Sequence, residues 1–385
     1  MKCAGRSIFS GERIEIEFSR TIDYIDPVLD PSADDGTWIA PGFIDLQMNG
    51  FAGADYNSPD TSLEAIASSL RAVFSTGVTR VLPTVITGDP DRMLAALRNL
   101  ARAHDTLEEG AAIEGFHLEG PCISPEDGPR GAHPARWVRP PNLDEFRGWQ
   151  EATQGRVRLV TLAPEWPDAP RFIEALTGQG VVVSIGHTEA TPGQIHDAVR
   201  AGATLSTHLG NAAPAFLSWR HNSLCEQLAE DRLAASFIVD HLHLSEAFLR
   251  VALRAKGVER SLLITDAVAP AMCTPGPYRL GEVAVELLAD DRVVVRGGTR
   301  LAGSCLRMNQ AIANVIRRGG VTLREAVTMA TLNPARVGRV RGRLRGLQPG
   351  ERADLVRFRV ENGGIRILET FVEGRRYPGP GSFTC

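Results

Sequence analysis

Eight short apolar runs rich in β-branched residues recur along the chain, separated by segments of helical periodicity, and this alternation constrains the fold more than any other feature. The runs occupy 37–48, 79–86, 112–120, 157–164, 181–187, 203–209, 234–240 and 261–266. Helix-like stretches fall between them at 62–77, 91–104, 169–180, 191–202 and 245–257, several closed by glycine as helix C-termini often are. A strand that returns parallel to its predecessor needs a crossover helix, so regular β-then-α alternation implies a parallel sheet. Eight such units over about 300 residues fit an α/β fold of the (β/α)8 TIM-barrel type, with a doubly wound open sheet as the alternative.

Outside this array the texture changes to β. Residues 6–29 hold two alternating segments around a GER turn, and 350–377 hold short strands with turn signals. Two chain ends of the same kind predict one small β-sandwich domain built from 1–38 plus 345–385, with 39–344 as the barrel. A further hairpin is expected at 278–297. Acidic and basic residues nearly balance, at 46 and 42, so the net charge of −4 offers no footprint for nucleic acid or an anionic membrane. No run of about 18 apolar residues reads as a membrane span, and the N-terminal stretch lacks a leader-like apolar core. The six cysteines show no CxxC spacing and read as free thiols, which places the chain in the cytoplasm.

Barrels of this type carry their active sites at the C-terminal ends of the strands. There the third run ends FHLEGP, the fifth SIGHTEAT, the sixth STHLGNAA and the eighth LITDAVAP, contributing Glu119, His187, His208 and Asp266. A single histidine or carboxylate at such a place is ordinarily a hydrogen-bonded core group, but four on four strand ends form a pattern. Two histidines and one carboxylate are the ligand count of a catalytic divalent site with an open position, and Zn2+ suits that set best. Asp266 is then either a fourth ligand or, preferably, the carboxylate that shuttles a proton for an activated water. A helix N-cap is its structural alternative. His117 shares a strand face with Glu119 and is expected to pack or support it, while His104 and His196 fall on helical segments facing solvent.

The motifs PGFIDLQMNG (41–50), HLEGP (117–121), GHTEAT (186–191), THLGNA (207–212), DHLH (240–243), ITDA (264–267), LAGS (301–304) and the tail from NPAR to PGERADL (333–355) run in order over nearly the whole chain. Together they resemble the N-acetylglucosamine-6-phosphate deacetylases of the amidohydrolase superfamily. The resemblance implies a metal-dependent barrel enzyme, acting as a homodimer, that releases acetate from an amino sugar phosphate. It implies Glu119, His187 and His208 as metal ligands, Asp266 as catalytic acid and base, and His133 as the donor that polarises the acetamide. It further implies substrate contacts from Ala132, His133, Asn211, Ala212, Arg220 (reaching across the dimer), Asp240, His243, Leu301, Ala302 and Gly303.

Departures narrow the expectation. Many amidohydrolases end their first strand in His-x-His and bind a second metal, whereas this chain has Gln47 and Asn49, carboxamides that ligate Zn2+ poorly, so a single ion is expected with both residues in support. A carbamylated lysine bridging two metals is excluded, because Lys2 and Lys256 are the only lysines and neither lies on a middle strand. At the sugar-phosphate end, Gly210 stands where members commonly carry tyrosine, His241 where they carry glycine, and Arg220, His221, Asn222 and Ser223 where they read Arg-Glu-Pro-Gly. Amide hydrolysis is therefore better founded than the sugar's identity. N-acetylgalactosamine 6-phosphate, an N-acyl amino acid, or a catalytically silent binding role are the alternatives.

Overall fold

The structure is a computed structural model that describes residues 1–28, 35–342 and 345–379. Among these, the apolar runs pair into one eight-stranded sheet: β1 (Phe43–Met48), β2 (Val78–Ile86), β3 (Phe116–Glu119), β4 (Val157–Leu162), β5 (Val182–Ile185), β6 (Leu205–Ser206), β7 (Ala234–Ile238) and β8 (Ser261–Ile264). Every neighbouring pair is parallel and the spatial order follows the sequence without reversal, which excludes the doubly wound sheet. The two outer strands meet. A parallel bridge joins Met48 to Ala267, Asn49 N donates to Ala267 O at 2.7 Å, and Asp266 N donates to Gln47 O at 3.0 Å. The result is a (β/α)8 barrel.

The helices start where the sequence signals them. Ser62, Asp89, Thr191 and Ser245 each accept a backbone N–H in the first turn of the helices Leu63–Phe74, Pro90–Thr106, Pro192–Arg200 and Glu246–Lys256. Gly257 closes the last of these at φ 70°, a backbone conformation that side chains disfavour.

The run at 37–48 is two strands rather than one. Trp38–Pro41 joins the sheet of the chain ends, and β1 begins at Phe43. Gly42 makes the break possible, because a Cβ there would lie 2.1 Å from Thr79 Cγ2. Both ends contribute to a seven-stranded sheet in the order Arg375–Pro378, Gly364–Val372, Leu355–Glu361, Trp38–Pro41, Lys2–Ser7, Arg13–Phe18, Ile22–Pro27. The N-terminal part thus holds three strands where two alternating segments were expected. Phe18 and Phe371 stack edge to face at 5.0 Å although their strands are not sheet neighbours, so the sheet folds back on itself around a small core with Ile16, Ile39 and Leu355. Trp38–Pro41 straddles the expected 38/39 boundary. The 344/345 boundary adjoins residues 343–344, which with 29–34 and 380–385 lie outside the described residues. The expected hairpin is a three-stranded antiparallel sheet, Gly276–Leu280, Val283–Leu287 and Val293–Val295.

Cys3, Cys122, Cys225 and Cys305 are free thiols. Cys273 is disulfide-bonded, which corrects the expectation of unpaired cysteines throughout; scattered spacing carries no signal for such a bridge. Among the described residues no helix is long and apolar enough to cross a membrane.

Two buried carboxylates hold this architecture together. Asp354, fully buried, accepts from Arg80 Nε at 2.8 Å and from Arg352 Nε at 3.0 Å, and Arg80 also pairs with Glu114, so β2 is pinned to the terminal sheet. Removing one partner of a buried pair strands the other charge. Asp354→Ala should lower unfolding free energy by about 3–5 kcal/mol in denaturant titration, and a loss under about 1 kcal/mol would contradict the pin. Asp45 lies inside the barrel seam, where Oδ2 accepts from Thr265 Oγ1 at 2.5 Å and Oδ1 from Thr265 N and Gln47 N, both at 3.2 Å. Burial pushes its carboxyl from 3.8 up to about 7, so between those values the fold keeps a proton that the unfolded chain has lost. Stability should therefore fall as pH rises through that window, and Asp45→Asn should flatten the slope of the denaturation midpoint against pH. An unaltered slope would show that another group sets it.

Candidate active site

The strand ends deliver their polar residues through unusual backbone. His187, His208 and Asp266 adopt φ of 54°, 30° and 50°, left-handed values that non-glycine residues rarely take. Each lies two residues past the end of its strand, and the turn swings its side chain inward across the barrel mouth. The helix N-cap alternative for Asp266 is not realised, since 265–275 is irregular chain.

Three ligand-type atoms converge. Glu119 Oε1 lies 3.2 Å from His187 Nε2 and 2.9 Å from His208 Nε2, and the two nitrogens are 3.2 Å apart. Metal–ligand distances of ~2.0–2.1 Å in tetrahedral geometry require ligand separations of ~3.3 Å, close to all three edges. One ring is oriented from behind. His187 donates Nδ1–H to Pro129 O at 2.9 Å, which turns its Nε2 toward Glu119 Oε1 and the second imidazole nitrogen. A cation at their centre would be within coordination reach of all three. His133 also falls within 4.8 Å of Glu119 and His187, but it faces Glu119 Oε2 at 3.9 Å, beside the triangle rather than in it.

Gln47 and Asn49 reach the same centre from β1 and the residues just past it. Gln47 Nε2 donates to Glu119 Oε1 at 2.8 Å and to Asp266 Oδ1 at 3.2 Å, and Asn49 Nδ2 donates to Asp266 Oδ1 at 2.6 Å. Asp266 is buried at the edge of the site: burial first, then the Glu119 charge, raise its carboxyl to about 8. Burial also acts to raise Glu119, but hydrogen bonds with His187 and His208 outweigh it and hold this carboxylate well below its usual range. His133 is driven down to about 3, chiefly by burial and then by His187, so its ring is neutral; its Nδ1 meets Thr87 Oγ1 at 2.8 Å.

His117 sits one layer below. Its ring, lowered to about 4 by burial, bonds Thr161 Oγ1 at 2.8 Å, and the chain continues through Thr207 to Ser184. His104 and His196 lie on helices at the surface, beside Asp105 and Glu226.

A cleft of about 260 Å³ opens above the triangle. Asn49, Glu119, His187, His208 and Asp266 line it together with Ala132, His133, Asn211, Ala212, His243, Leu301, Ala302 and Gly303. Asp240 stands behind, where its Oδ2 fixes His243 Nδ1 at 2.6 Å. Arg220 does not line the cleft; it occupies an exposed loop beside Phe216 and Trp219, 94% and 88% exposed. At Gly210 a Cβ would lie 2.6 Å from Phe248 Cε1, so Phe248 fills the space a larger side chain would need. Arg300, immediately before the LAGS motif, lines the cleft and was missed by motif reasoning; its position next to Leu301 was the available signal.

Residues 38–376 match the Amidohydrolase family. The chain is 33% identical over 351 residues to the N-acetylglucosamine-6-phosphate deacetylase of Danio rerio, covering 88% of this chain and 84% of that protein. It is 32% identical over 343 residues to the N-acetylgalactosamine-6-phosphate deacetylase of Escherichia coli O157:H7, covering 89% and 88%. Its fold superimposes, with a TM-score of 0.87 and 29% identity, on an alanine-substituted N-acetyl-D-glucosamine-6-phosphate deacetylase from Mycobacterium smegmatis in complex with N-acetyl-D-glucosamine-6-phosphate, covering 98% of this chain and 99% of that one.

Proposed function

The chain belongs to the amidohydrolase family, and from that premise we propose that it hydrolyses the acetamide of an N-acetylated hexosamine 6-phosphate, N-acetylglucosamine 6-phosphate in first place, to acetate and the amino sugar phosphate. The observation that carries this is the meeting of Glu119, His187 and His208 within 3.2 Å of one another beside the buried carboxyl of Asp266. One divalent ion, Zn2+, fits two imidazole nitrogens and one carboxylate oxygen best. A second ion is disfavoured because Gln47 turns its N–H toward both carboxylates and leaves no lone pair there.

Bound in the triangle, such an ion acidifies water and polarises the acetamide oxygen. The chain's own groups do the rest. A cation held beside Glu119 would favour the ionised form of Asp266, and the carboxylate is placed to take the attacking water's proton. Asn49 and Gln47 hold Asp266 Oδ1, which leaves Oδ2 to carry that proton to the departing amine. His133 is neutral and its Nδ1 meets the Thr87 hydroxyl; in the tautomer that carries its hydrogen on Nε2 it donates to the acetamide oxygen from the cleft wall.

The sugar-phosphate end rests on Asn211, Ala212 and His243, on Leu301, Ala302 and Gly303, and on Arg220 from a second copy in a homodimer. Phe216 and Trp219, which flank Arg220 and stand almost fully exposed, are the apolar surface such a dimer covers. N-acetylgalactosamine 6-phosphate is the second substrate reading, favoured by the relative from Escherichia coli O157:H7. The division into a 39–344 catalytic barrel and a terminal β domain belongs to the same proposal. So does a cytoplasmic location, supported by four free thiols, although the bridged Cys273 runs against it.

Acetate release from both N-acetylhexosamine 6-phosphates, and from their unphosphorylated forms, tests the proposal; no turnover of either phosphorylated sugar would defeat it. Asp266→Asn should keep the metal yet lose about 10²–10⁴-fold in kcat, and near-normal turnover would remove Asp266 from the proton path. Arg220→Ala should raise KM for the phosphorylated sugar selectively; equal losses on both forms would deny Arg220 a phosphate role.

A further inference from the structure

We infer that Arg300 binds the phosphate of the substrate within its own subunit and so sets the preference for phosphorylated over free sugar. The inference rests on the function proposed above. A sugar phosphate brings about two negative charges at neutral pH into a cleft that already holds Glu119 and Asp266. Among the described residues lining that cleft, Arg300 is the one with a fixed positive charge.

Its surroundings leave that charge in excess. Asp127 Oδ1 accepts from Arg300 Nη2 at 3.0 Å and also from Arg130 Nη2 at 2.6 Å, so two guanidinium groups share a single carboxylate. Arg300 Nη1 donates to the neutral carbonyl of Gly131 at 2.9 Å. With those two contacts made and its side chain 41% exposed, the remaining N–H donors of the guanidinium are free to take an anion.

The platform is rigid and close to the chemistry. Leu301 bridges Val294, Val295 N donates to Arg300 O at 2.9 Å and Ala302 N to Val293 O at 3.0 Å, so Arg300 extends the three-stranded sheet. Gly131 beneath it packs on a ligand ring, since a Cβ there would sit 3.2 Å from His187 Cε1. Arg220, by contrast, lies on the exposed loop and serves a neighbouring site at most. The two arginines therefore have separable tasks, one in each subunit.

The test compares kcat/KM for N-acetylglucosamine 6-phosphate and N-acetylglucosamine in the metal-loaded wild type, R300A and R300K. The ratio of the two should fall roughly 10–100-fold in R300A, the usual range for losing a charge-assisted pair, and recover in part in R300K, which keeps the charge without the fork. Competitive inhibition by inorganic phosphate should weaken in parallel. An unchanged ratio with both substrates losing equally would make Arg300 an anchor of the 127–131 loop and overturn the inference while leaving the deacetylase proposal standing. Absence of wild-type turnover on the phosphorylated sugar would overturn both.

Discussion

A single carboxylate oxygen organises the catalytic face. Glu119 Oε1, on a side chain buried at the foot of the cleft, receives Gln47 from β1 and meets His187 and His208 from the turns after β5 and β6. A buried anion of this kind is tolerable only if its charge is answered on every side. The barrel provides that answer by bringing together four segments far apart in sequence, which is why closure between β1 and β8 matters as much to chemistry as to stability. If the seam at Asp45 and Thr265 slipped by one residue, Gln47 and Asn49 would turn to the other face and leave Asp266 without its donors.

The left-handed turns at His187, His208 and Asp266 extend the same logic. Each departs from ordinary backbone at a cost of about 1–3 kcal/mol, and such strain persists only where the surroundings over-determine it. Here the barrel core supplies that constraint, with Ile185, Leu205 and Ile264 almost fully buried in the strands that lead into the turns. Below them the hydrogen-bonded chain of His117, Thr161, Thr207 and Ser184 satisfies a polar layer that would otherwise weaken the interior.

Much of this was legible in the residues alone. Alternation and apolar runs are properties of local periodicity, so the parallel barrel and its capped helices could be read directly. The four strand-end residues could be read because a His, His, Glu and Asp at equivalent topological positions have few other reasons to recur. The break at Gly42 could not, since it depends on contact with Thr79 from β2, and no local pattern encodes that. Nor could the Cys273 bridge, which scattered spacing does not signal, or the place of Arg300 beside Gly131, which rests on a pairing distant in sequence. The position of Arg220 outside the cleft shows the same limit from the other side: a motif places a residue near a site but does not say whose site it serves.

X-ray absorption at the metal edge of the zinc-reconstituted protein tests the central claim most directly. The account predicts one ion per chain with two nitrogen ligands and one oxygen ligand from the protein at ~2.0–2.2 Å, and loss of that shell when Glu119, His187 and His208 are replaced together by alanine. Sulfur in the shell, or stoichiometric metal retained by the triple variant in the same environment, would contradict it.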